Sequence, residues 1–275
     1  MADFSVGDIV VRKSYGKDVY FVITEIKNTE SGKPSYTLRG LLMRIEADSD
    51  GHDLLKQNPR LVDQDKLNYI KKMKQNLLAL NHSRYTYGIN RPTGRFGRVL
   101  QLDSSQEFLN ICLDHYRENK LECYGHAVAE SEQPHAVEDM LSRYKPDIIV
   151  LTGHDGIKKN ASDLYSMDSY RNSKYFVQSV IEARKYEPDK NRLCVFAGAC
   201  QSYFEAIMNA GANFASSPGR VLIDCLDPAI VSEKIATTDT RMTITPWSVA
   251  QLTKSGSKGI GGINTRGRMI VGRIN

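Results

Sequence analysis

PDIIVLTGHDG, residues 146–156, and LCVFAGACQS, residues 193–202, are the two stretches that decide the fold. Each is a short apolar run that ends in small and chemically active residues. Apolar runs of this length, without an alternating polar pattern, are typical of strands covered on both faces of a parallel sheet. The chain between them is long enough for one crossover helix, and strand–helix–strand units predict parallel strands with right-handed connections.

The same alternation of strands and helices continues on both sides of these stretches. The predicted strands cover residues 99–102, 121–125, 146–152, 193–198 and 212–215. The predicted helices cover residues 105–119, 135–144, 170–185, 202–210 and 228–236. The pattern predicts an α/β domain over residues 98–275 with a doubly wound, mostly parallel sheet, in which ligands bind beyond the carboxyl ends of the strands.

The first sixty residues follow a different pattern. Short β-branched and aromatic runs at 8–11, 19–23 and 35–42 are separated by Gly, Pro and Asp clusters, as in consecutive antiparallel strands. They predict a small SH3-like β-barrel over residues 1–60. A helix with apolar residues at helical spacing follows within 64–81, and a basic stretch free of acids covers 84–98. Residues 61–97 are therefore predicted to be a helix and a linker between two domains.

Composition excludes several classes of protein. The 275 residues carry a net charge of +5, which is too small to favour nucleic acid as a partner. The five cysteines are scattered without a CxxC pair and the histidines have no ligand spacing, so neither a disulfide framework, a metal nor another cofactor is expected. The chain has no apolar run of membrane-spanning length and begins without a signal-like segment, which predicts a cytoplasmic protein without membrane contact.

His154 and Cys200 are the candidate catalytic residues, because each follows one of two predicted neighbouring strands. The carboxyl ends of parallel strands meet at one edge of the sheet. The helix expected to begin near Ser202 would lower the pKa of the Cys200 thiol through its exposed N–H groups. The imidazole would then take the thiol proton and pass it to a leaving amine. Singly, a histidine or a buried cysteine is more often structural, so it is the pair that indicates a site.

The order of this pair along the chain selects among cysteine enzymes. Papain-like enzymes and amidotransferases place the cysteine before the histidine, whereas caspases place the histidine about fifty residues before the cysteine. The strand-His-x-Gly and strand-Ala-Cys motifs accordingly resemble the caspase-like (clan CD) peptidases. Over nearly the whole chain, including VGDIVVRKSYGKDVYFVI, LTGHDG and FAGACQSYFEA, the sequence is similar to the YabG family of sporulation-specific proteases.

The resemblance implies a caspase-like fold and a cysteine peptidase in which His154 and Cys200 form the catalytic dyad. It also implies cleavage after arginine, with spore-coat and germination proteins as substrates. The expected location is the mother cell of a sporulating bacterium, or the spore coat itself. Self-processing is a related expectation, because residues 84–98 combine arginines and glycines without acids.

Two departures from the family pattern concern the oxyanion donors and the arginine pocket. Caspases read His-Gly, whereas Asp155 stands before Gly156 here, so either N–H is expected to join that of Cys200 in an oxyanion hole. Many arginine-specific relatives carry an acid two residues before the cysteine, where this chain has a glycine. A pocket for arginine needs a carboxylate. The candidate acids are Asp224 and Asp227, followed by Asp155 and Asp163.

Two other functions are compatible with the sequence. The first is a non-catalytic scaffold of the spore coat in which the SH3-like barrel binds partners; no cysteine would then react preferentially with iodoacetamide. The second is RNA binding through the N-terminal β unit and the face with lysines 71, 72 and 74, which rests on charge alone and would require a steep salt dependence. The sequence makes no prediction of an oligomeric state.

Overall fold

The computed structural model of the protein describes residues 4–28, 32–85 and 94–271, with the backbone alone for 74 and 76–85. The chain divides into two compact units. The N-terminal unit comprises Met1–Leu42, Asp48–Gly94 and Val271–Asn275, and the α/β unit comprises Met43–Ala47 and Arg95–Ile270. Five residues that the sequence assigns to the barrel, 43–47, thus belong to the α/β unit. The predicted boundaries after residues 60 and 97 stay predictions.

The N-terminal unit contains an antiparallel sheet and one long helix. Its elements are β1 (Ile9–Arg12), β2 (Phe21–Asn28), β3 (Pro34–Gly40), β4 (Glu46–Asp50), β5 (Leu54–Lys56) and α1 (Pro59–Tyr85). The order in the sheet is β4-β3-β2-β1-β5. An antiparallel sheet is what the N-terminal pattern predicts, while the SH3-like assignment stays a prediction. The strand β4 escaped prediction because its sequence, EADSD, consists mostly of poor strand formers.

The helix α1 begins five residues before the prediction. Pro59 occupies its first turn, where a missing N–H costs nothing, and the side chain of Asn58 accepts the Arg60 N–H at 3.0 Å. The predicted linker at 84–98 lies partly outside the described residues, since 86–93 are not described.

The α/β unit alternates strands and helices as predicted. Its helices are α2 (Gln106–Glu118), α3 (Gln133–Tyr144), α4 (Ser173–Tyr186), α5 (Phe204–Asn209), α6 (Asp227–Ala236), α7 (Pro246–Ala250) and α8 (Gly256–Gly259). Its strands are β6 (Gly94–Arg95), β7 (Val99–Asp103), β8 (Cys123–Ala127), β9 (Ile148–Thr152), β10 (Cys194–Ala197), β11 (Phe214–Ser216), β12 (Thr243–Ile244), β13 (Ile260–Gly262), β14 (Thr265–Arg266) and β15 (Ile270–Val271).

The central sheet has six strands in the order β13-β11-β10-β9-β7-β8. The pairings from β8 to β11 are parallel, and β13 is antiparallel to β11. The α/β class and the mostly parallel sheet are therefore confirmed, whereas the caspase-like assignment stays a prediction. The edge strand β13 was missed because its sequence, IGG, has no strand signal.

Both faces of the central sheet are covered. Leu100 and Leu102 of β7 pack in a core cluster with residues of α3 and α4. The alternate residues of β7 point to the opposite face. There Tyr116 of α2 donates a hydrogen bond to Gln101 at 2.9 Å. Asp103, the last residue of β7, is on this second face and is fully buried.

Candidate active site

The register of β9 and β10 brings His154 and Cys200 to the same level of the sheet edge. Leu151 is paired with Ala197, and the two candidate residues stand three positions further along each strand. The Thr152 hydroxyl donates to the Gly198 carbonyl at 2.8 Å, so the strands remain joined beyond their last paired residues. The carboxyl ends of adjacent parallel strands thus carry both residues.

The chain turns sharply around Cys200. Gly198 has φ +108°, which only glycine adopts readily, and Gln201 has φ +54°, which is uncommon for a residue with a side chain. The Ser202 hydroxyl accepts the Ala199 N–H at 2.9 Å and thereby closes the turn. Backbone in such sparsely populated regions persists only where the surroundings enforce it, and it is frequent at functional sites.

His154 is held by an aromatic ring and lies beside a carboxylate. Its ring stacks on Phe108 with centroids 5.4 Å apart. Its Nδ1 lies 3.5 Å from the Ser104 hydroxyl and 4.0 Å from Glu130 Oε1. The same Glu130 oxygen accepts the His154 backbone N–H at 2.7 Å. An acid in this position can orient the imidazole and stabilise its protonated form.

Asp155 connects the loop that carries His154 to the loop that carries Cys200. Its carboxylate accepts the hydroxyls of Ser173 at 2.5 Å and of Ser202 at 2.8 Å. It also accepts the backbone N–H groups of Gly156 and Asn172, each at 2.8 Å. Burial raises the pKa of this carboxyl to about 6, although the hydrogen bonds from Ser173, Asn172, Gly156 and Ser202 lower it. Its side chain thus holds the histidine loop against the turn at Cys200.

The Arg44 segment, which we define as Met43–Ala47, runs through the site. The Arg44 carbonyl oxygen accepts the N–H of Cys200 at 3.1 Å and the N–H of Asp155 at 3.2 Å. These are two of the three N–H groups that the sequence nominates as oxyanion donors. The third, on Gly156, donates to the side chain of its neighbour Asp155. A carbonyl oxygen held by two convergent N–H groups beside a thiol is the arrangement of an acyl group in an oxyanion hole.

The Arg44 side chain fills what we call the arginine pocket: Asp103, Phe108, Cys112 and Cys225. Its Nη1 donates to Asp103 Oδ2 at 2.8 Å, and both side chains are completely buried. Its Nη2 donates to the Cys225 carbonyl at 2.9 Å and lies 3.7 Å from Cys112 Sγ. The guanidinium carbon lies 5.0 Å from the centre of the Phe108 ring, the same ring that stacks on His154. Burial, the largest single effect, lowers the pKa of Arg44, but the charges of Asp103, Cys112 and Cys225 and the hydrogen bond to Asp103 together raise the pKa overall.

The thiol of Cys200 is enclosed. Its Sγ accepts the Ile223 N–H at 3.0 Å, and the residue is fully buried. Burial raises the pKa of the thiol to about 12, although the backbone N–H groups of Ile223 and Arg44 and the charge of Arg44 lower it. The predicted lowering by a helix start is therefore wrong for this state of the site, because α5 begins only at Phe204 and desolvation outweighs the favourable interactions.

The two acids first nominated for an arginine pocket bind lysine and backbone groups instead. Asp224 accepts Lys254 Nζ at 3.1 Å and the Leu226 N–H at 3.1 Å. Asp227 accepts the backbone N–H groups of Lys254 at 2.9 Å and of Ser255 at 3.2 Å. Burial, followed by the charge of Asp224, raises the pKa of Asp227 to about 7. Asp163 accepts the Tyr165 N–H at 2.8 Å in a local turn.

The described ranges contain neither a metal-binding cluster nor a helix able to span a membrane. Within 4–28, 32–85 and 94–271, no group of three or more His, Cys, Asp and Glu side chains is placed to hold a metal ion. None of the helices in those ranges combines the length and hydrophobicity that a membrane crossing requires. The five cysteines, all within the described ranges, are free thiols.

Similarity to known proteins extends over the whole of this site. The model of the family described as YabG peptidase U57 matches residues 5–273. The chain belongs to this family. The sporulation-specific protease YabG of Bacillus subtilis (strain 168) is 38% identical over 285 residues, which cover 98% of this chain and 97% of that protein. The match to the YabG peptidase family includes the Arg44 segment as well as the loops that carry His154 and Cys200.

Three features of the site escaped the sequence reasoning: Arg44, Asp103 and Glu130. Asp103 had a usable signal, because it directly follows the predicted strand 99–102 and therefore stands at the same sheet edge as His154 and Cys200. Arg44 lies in LLMRIEADSD, which has no signal for a distant contact. Glu130 lies in a loop between β8 and α3, where its role depends on tertiary structure.

Proposed function

We propose that this protein is a cysteine endopeptidase that cleaves after arginine with His154 and Cys200 as its dyad. The observation that carries the proposal is the position of one arginine, Arg44. Its carbonyl oxygen accepts N–H groups from both catalytic loops, while its guanidinium lies on a buried carboxylate. A peptidase for arginyl bonds has to bind these two parts of its substrate at once.

Each residue then has a chemical role. His154 takes the proton from the Cys200 thiol as the sulfur attacks the carbonyl carbon of the substrate arginine. The N–H groups of Cys200 and Asp155 stabilise the oxyanion, and the protonated imidazole delivers its proton to the leaving amine. Water then hydrolyses the thioester. Glu130, 4.0 Å from the imidazole, stabilises the positive charge on His154.

Asp103 is the acid that we assign to the arginine pocket, in place of Asp224 and Asp227. Its carboxylate is completely buried at the end of β7 and contacts a guanidinium at 2.8 Å. A charged donor and a carboxylate make a stronger and more selective contact than a neutral pair. The Cys225 carbonyl accepts a further hydrogen bond from the guanidinium, from its Nη2 at 2.9 Å.

The biological setting follows from the named relative. The Bacillus subtilis protein is a sporulation-specific protease. By analogy, we assign the present protein to sporulation, with protein substrates in the spore coat and the germination apparatus. The mother cell that builds the coat is the corresponding location.

The experiment compares wild type with Cys200→Ala and His154→Ala on an arginyl reporter peptide and on its citrulline analogue. Citrulline has nearly the shape of arginine without its charge. We expect cleavage of the arginyl peptide by wild type alone, with both variants folded by circular dichroism. Cys123→Ala is the matched control, because this half-buried thiol lies on β8 away from the site. Full activity of Cys200→Ala would refute the proposal.

A further inference from the structure

We propose that the Arg44 segment is bound as a substrate, and that the peptidase cuts its own bond between Arg44 and Ile45. The inference rests on the proposed function, because it uses the same dyad and the same arginine pocket. The contacts of the Arg44 segment single out one peptide bond, the bond between Arg44 and Ile45. The sequence, in contrast, predicts self-cleavage within 84–98, most of which lies outside the described residues.

The residues before this bond are held in the way that extended peptides are held by binding proteins. Met43 forms an antiparallel bridge with Asp224 on the chain that follows β11. Backbone pairing of this kind accepts many sequences, and a side-chain pocket adds the selectivity. The arginine pocket supplies that selectivity through the ion pair between Arg44 and Asp103.

The bond itself is aligned with the reactive groups. The Arg44 carbonyl oxygen accepts N–H groups from Cys200 at 3.1 Å and Asp155 at 3.2 Å. The backbone N–H of Arg44 is among the groups that interact with the Cys200 thiol. The sulfur and the oxyanion donors therefore contact the two backbone polar groups of one residue, Arg44, on either side of its Cα.

The residues after the bond are held as well. Ile45 forms a parallel bridge with Asp155, and the Glu46 N–H donates to the Asp155 carbonyl at 2.8 Å. The Glu46 carboxylate lies 3.4 Å from Arg171 Nη1 and 3.4 Å from Asn172 Nδ2. Gly156 permits this passage, because a Cβ there would lie 2.0 Å from the Glu46 carbonyl oxygen. Contacts on both sides of one bond are what an endopeptidase makes with its substrate.

The proposed step is an ordinary acyl transfer. The Cys200 sulfur bonds to the Arg44 carbonyl carbon, the C–N bond to Ile45 breaks, and the thiol proton passes through His154 to the new amino group of Ile45. Water then adds to the thioester. This releases the Arg44 carboxylate and restores the thiol, so the overall reaction is hydrolysis of one peptide bond.

Until this bond is cut, the segment excludes other substrates. The thiol is fully buried and the pocket already contains an arginine. A tethered segment competes at an effective concentration of roughly millimolar, far above that of a typical reporter peptide. Cutting the bond frees both ends of the segment, so a first self-cleavage would open the cleft to substrates in trans.

The test is mass spectrometry of the purified full chain under denaturing conditions, with time. Denaturation is needed because β1, which precedes the cut, pairs with β5, which follows it, and the two fragments would remain together in the native state. We expect wild type to yield a fragment that ends at Arg44 and one that begins at Ile45. Both should be absent from Cys200→Ala and from Arg44→Gln, and should persist in Arg39→Gln, a control on the neighbouring strand β3.

A second variant guards against misfolding of Arg44→Gln. Ile45→Pro keeps the arginine in its pocket but turns the scissile bond into a tertiary amide, whose leaving group, the ring nitrogen of proline, is a poor one. We expect it to remain intact and to cleave the arginyl reporter at least about tenfold more slowly than processed wild type. Reporter cleavage without the Arg44–Ile45 cut would overturn the inference and leave the proposed function standing. Fragments in Cys200→Ala would overturn it too, and loss of both activities in wild type would overturn both proposals.

Discussion

Replacing Asp103 by asparagine removes one charge from the arginine pocket and almost nothing else. The amide oxygen can still accept the Ser105 N–H, which Asp103 Oδ1 accepts at 3.0 Å. The amide nitrogen, however, replaces the oxygen that accepts Arg44 Nη1 at 2.8 Å and Gln101 Nε2 at 3.0 Å. A guanidinium in the variant pocket therefore faces a donor instead of a carboxylate.

The size of the effect follows from the burial of both partners. Asp103 and Arg44 are completely buried, so a substrate arginine in the variant would be an uncompensated buried charge. Removing one partner of a buried pair costs about 3–5 kcal/mol. Because 1.4 kcal/mol corresponds to a factor of ten, we expect kcat/KM for the arginyl reporter to fall between roughly 10²-fold and 4 × 10³-fold. The citrulline reporter has no charge to lose and should change little.

The assay is the ratio of kcat/KM for the two reporters in wild type, Asp103→Asn and Asp224→Asn. The second variant is a matched control, since Asp224 is also a buried acid but binds Lys254. Thermal unfolding of each protein checks that it is folded. If Asp103→Asn keeps its preference for arginine while Asp224→Asn loses it, the pocket has been assigned to the wrong acid.

Three other perturbations test the remaining contacts. Glu130→Gln should lower kcat about tenfold or more and move the acid limb of the pH–rate profile to lower pH. The reason is that the variant has no carboxylate to stabilise the protonated His154. An unmoved profile would contradict this role of Glu130. Gly156→Ala should lower the free energy of unfolding by about 1–3 kcal/mol in denaturant titrations, since the new Cβ would lie 2.0 Å from the Glu46 carbonyl oxygen. An unchanged midpoint of denaturant unfolding would count against the path of the Arg44 segment. Asp227, whose pKa burial raises to about 7, is more readily protonated when folded, so its contribution to stability is complete below about pH 4 and is lost as the pH rises through 7. In unfolding measured from pH 4.5 to 7.5, Asp227→Asn should lose this dependence, and an identical pH profile would show that another group causes it.

The fold could be predicted from sequence where local patterns determine it. Continuous apolar runs such as 148–152 have one stable solution, a strand covered on both faces, and the helices between them follow from apolar periodicity. The strands β4 and β13 could not be predicted, because acidic or glycine-rich residues form strands only when a neighbouring strand supplies the hydrogen bonds. Their structure is a consequence of tertiary contacts.

The candidate site, like the fold, contains residues that local sequence patterns could predict and residues that they could not. His154 and Cys200 could be found because the ends of adjacent parallel strands converge, whatever the loops do. Asp103 was within reach of that rule, since β7 pairs directly with β9 and brings Asp103 opposite Thr152. The role of Arg44 could not be predicted by that rule. Its contacts join residues far apart in sequence, and the segment in which it lies has no recognisable sequence pattern.

Arg44 occupies the positions that an external arginyl substrate would need, because its side chain fills the arginine pocket and its carbonyl accepts the Cys200 N–H. The thiol beside it is buried, and burial raises its pKa to about 12 although the N–H and the charge of Arg44 lower it. If the two proposals hold, the contacts that select arginine are the same contacts that keep the site closed, so selectivity and latency have one physical origin. Hydrolysis of the bond between Arg44 and Ile45 would then remove the occupant and leave the carboxylate of Asp103 free for the next arginine.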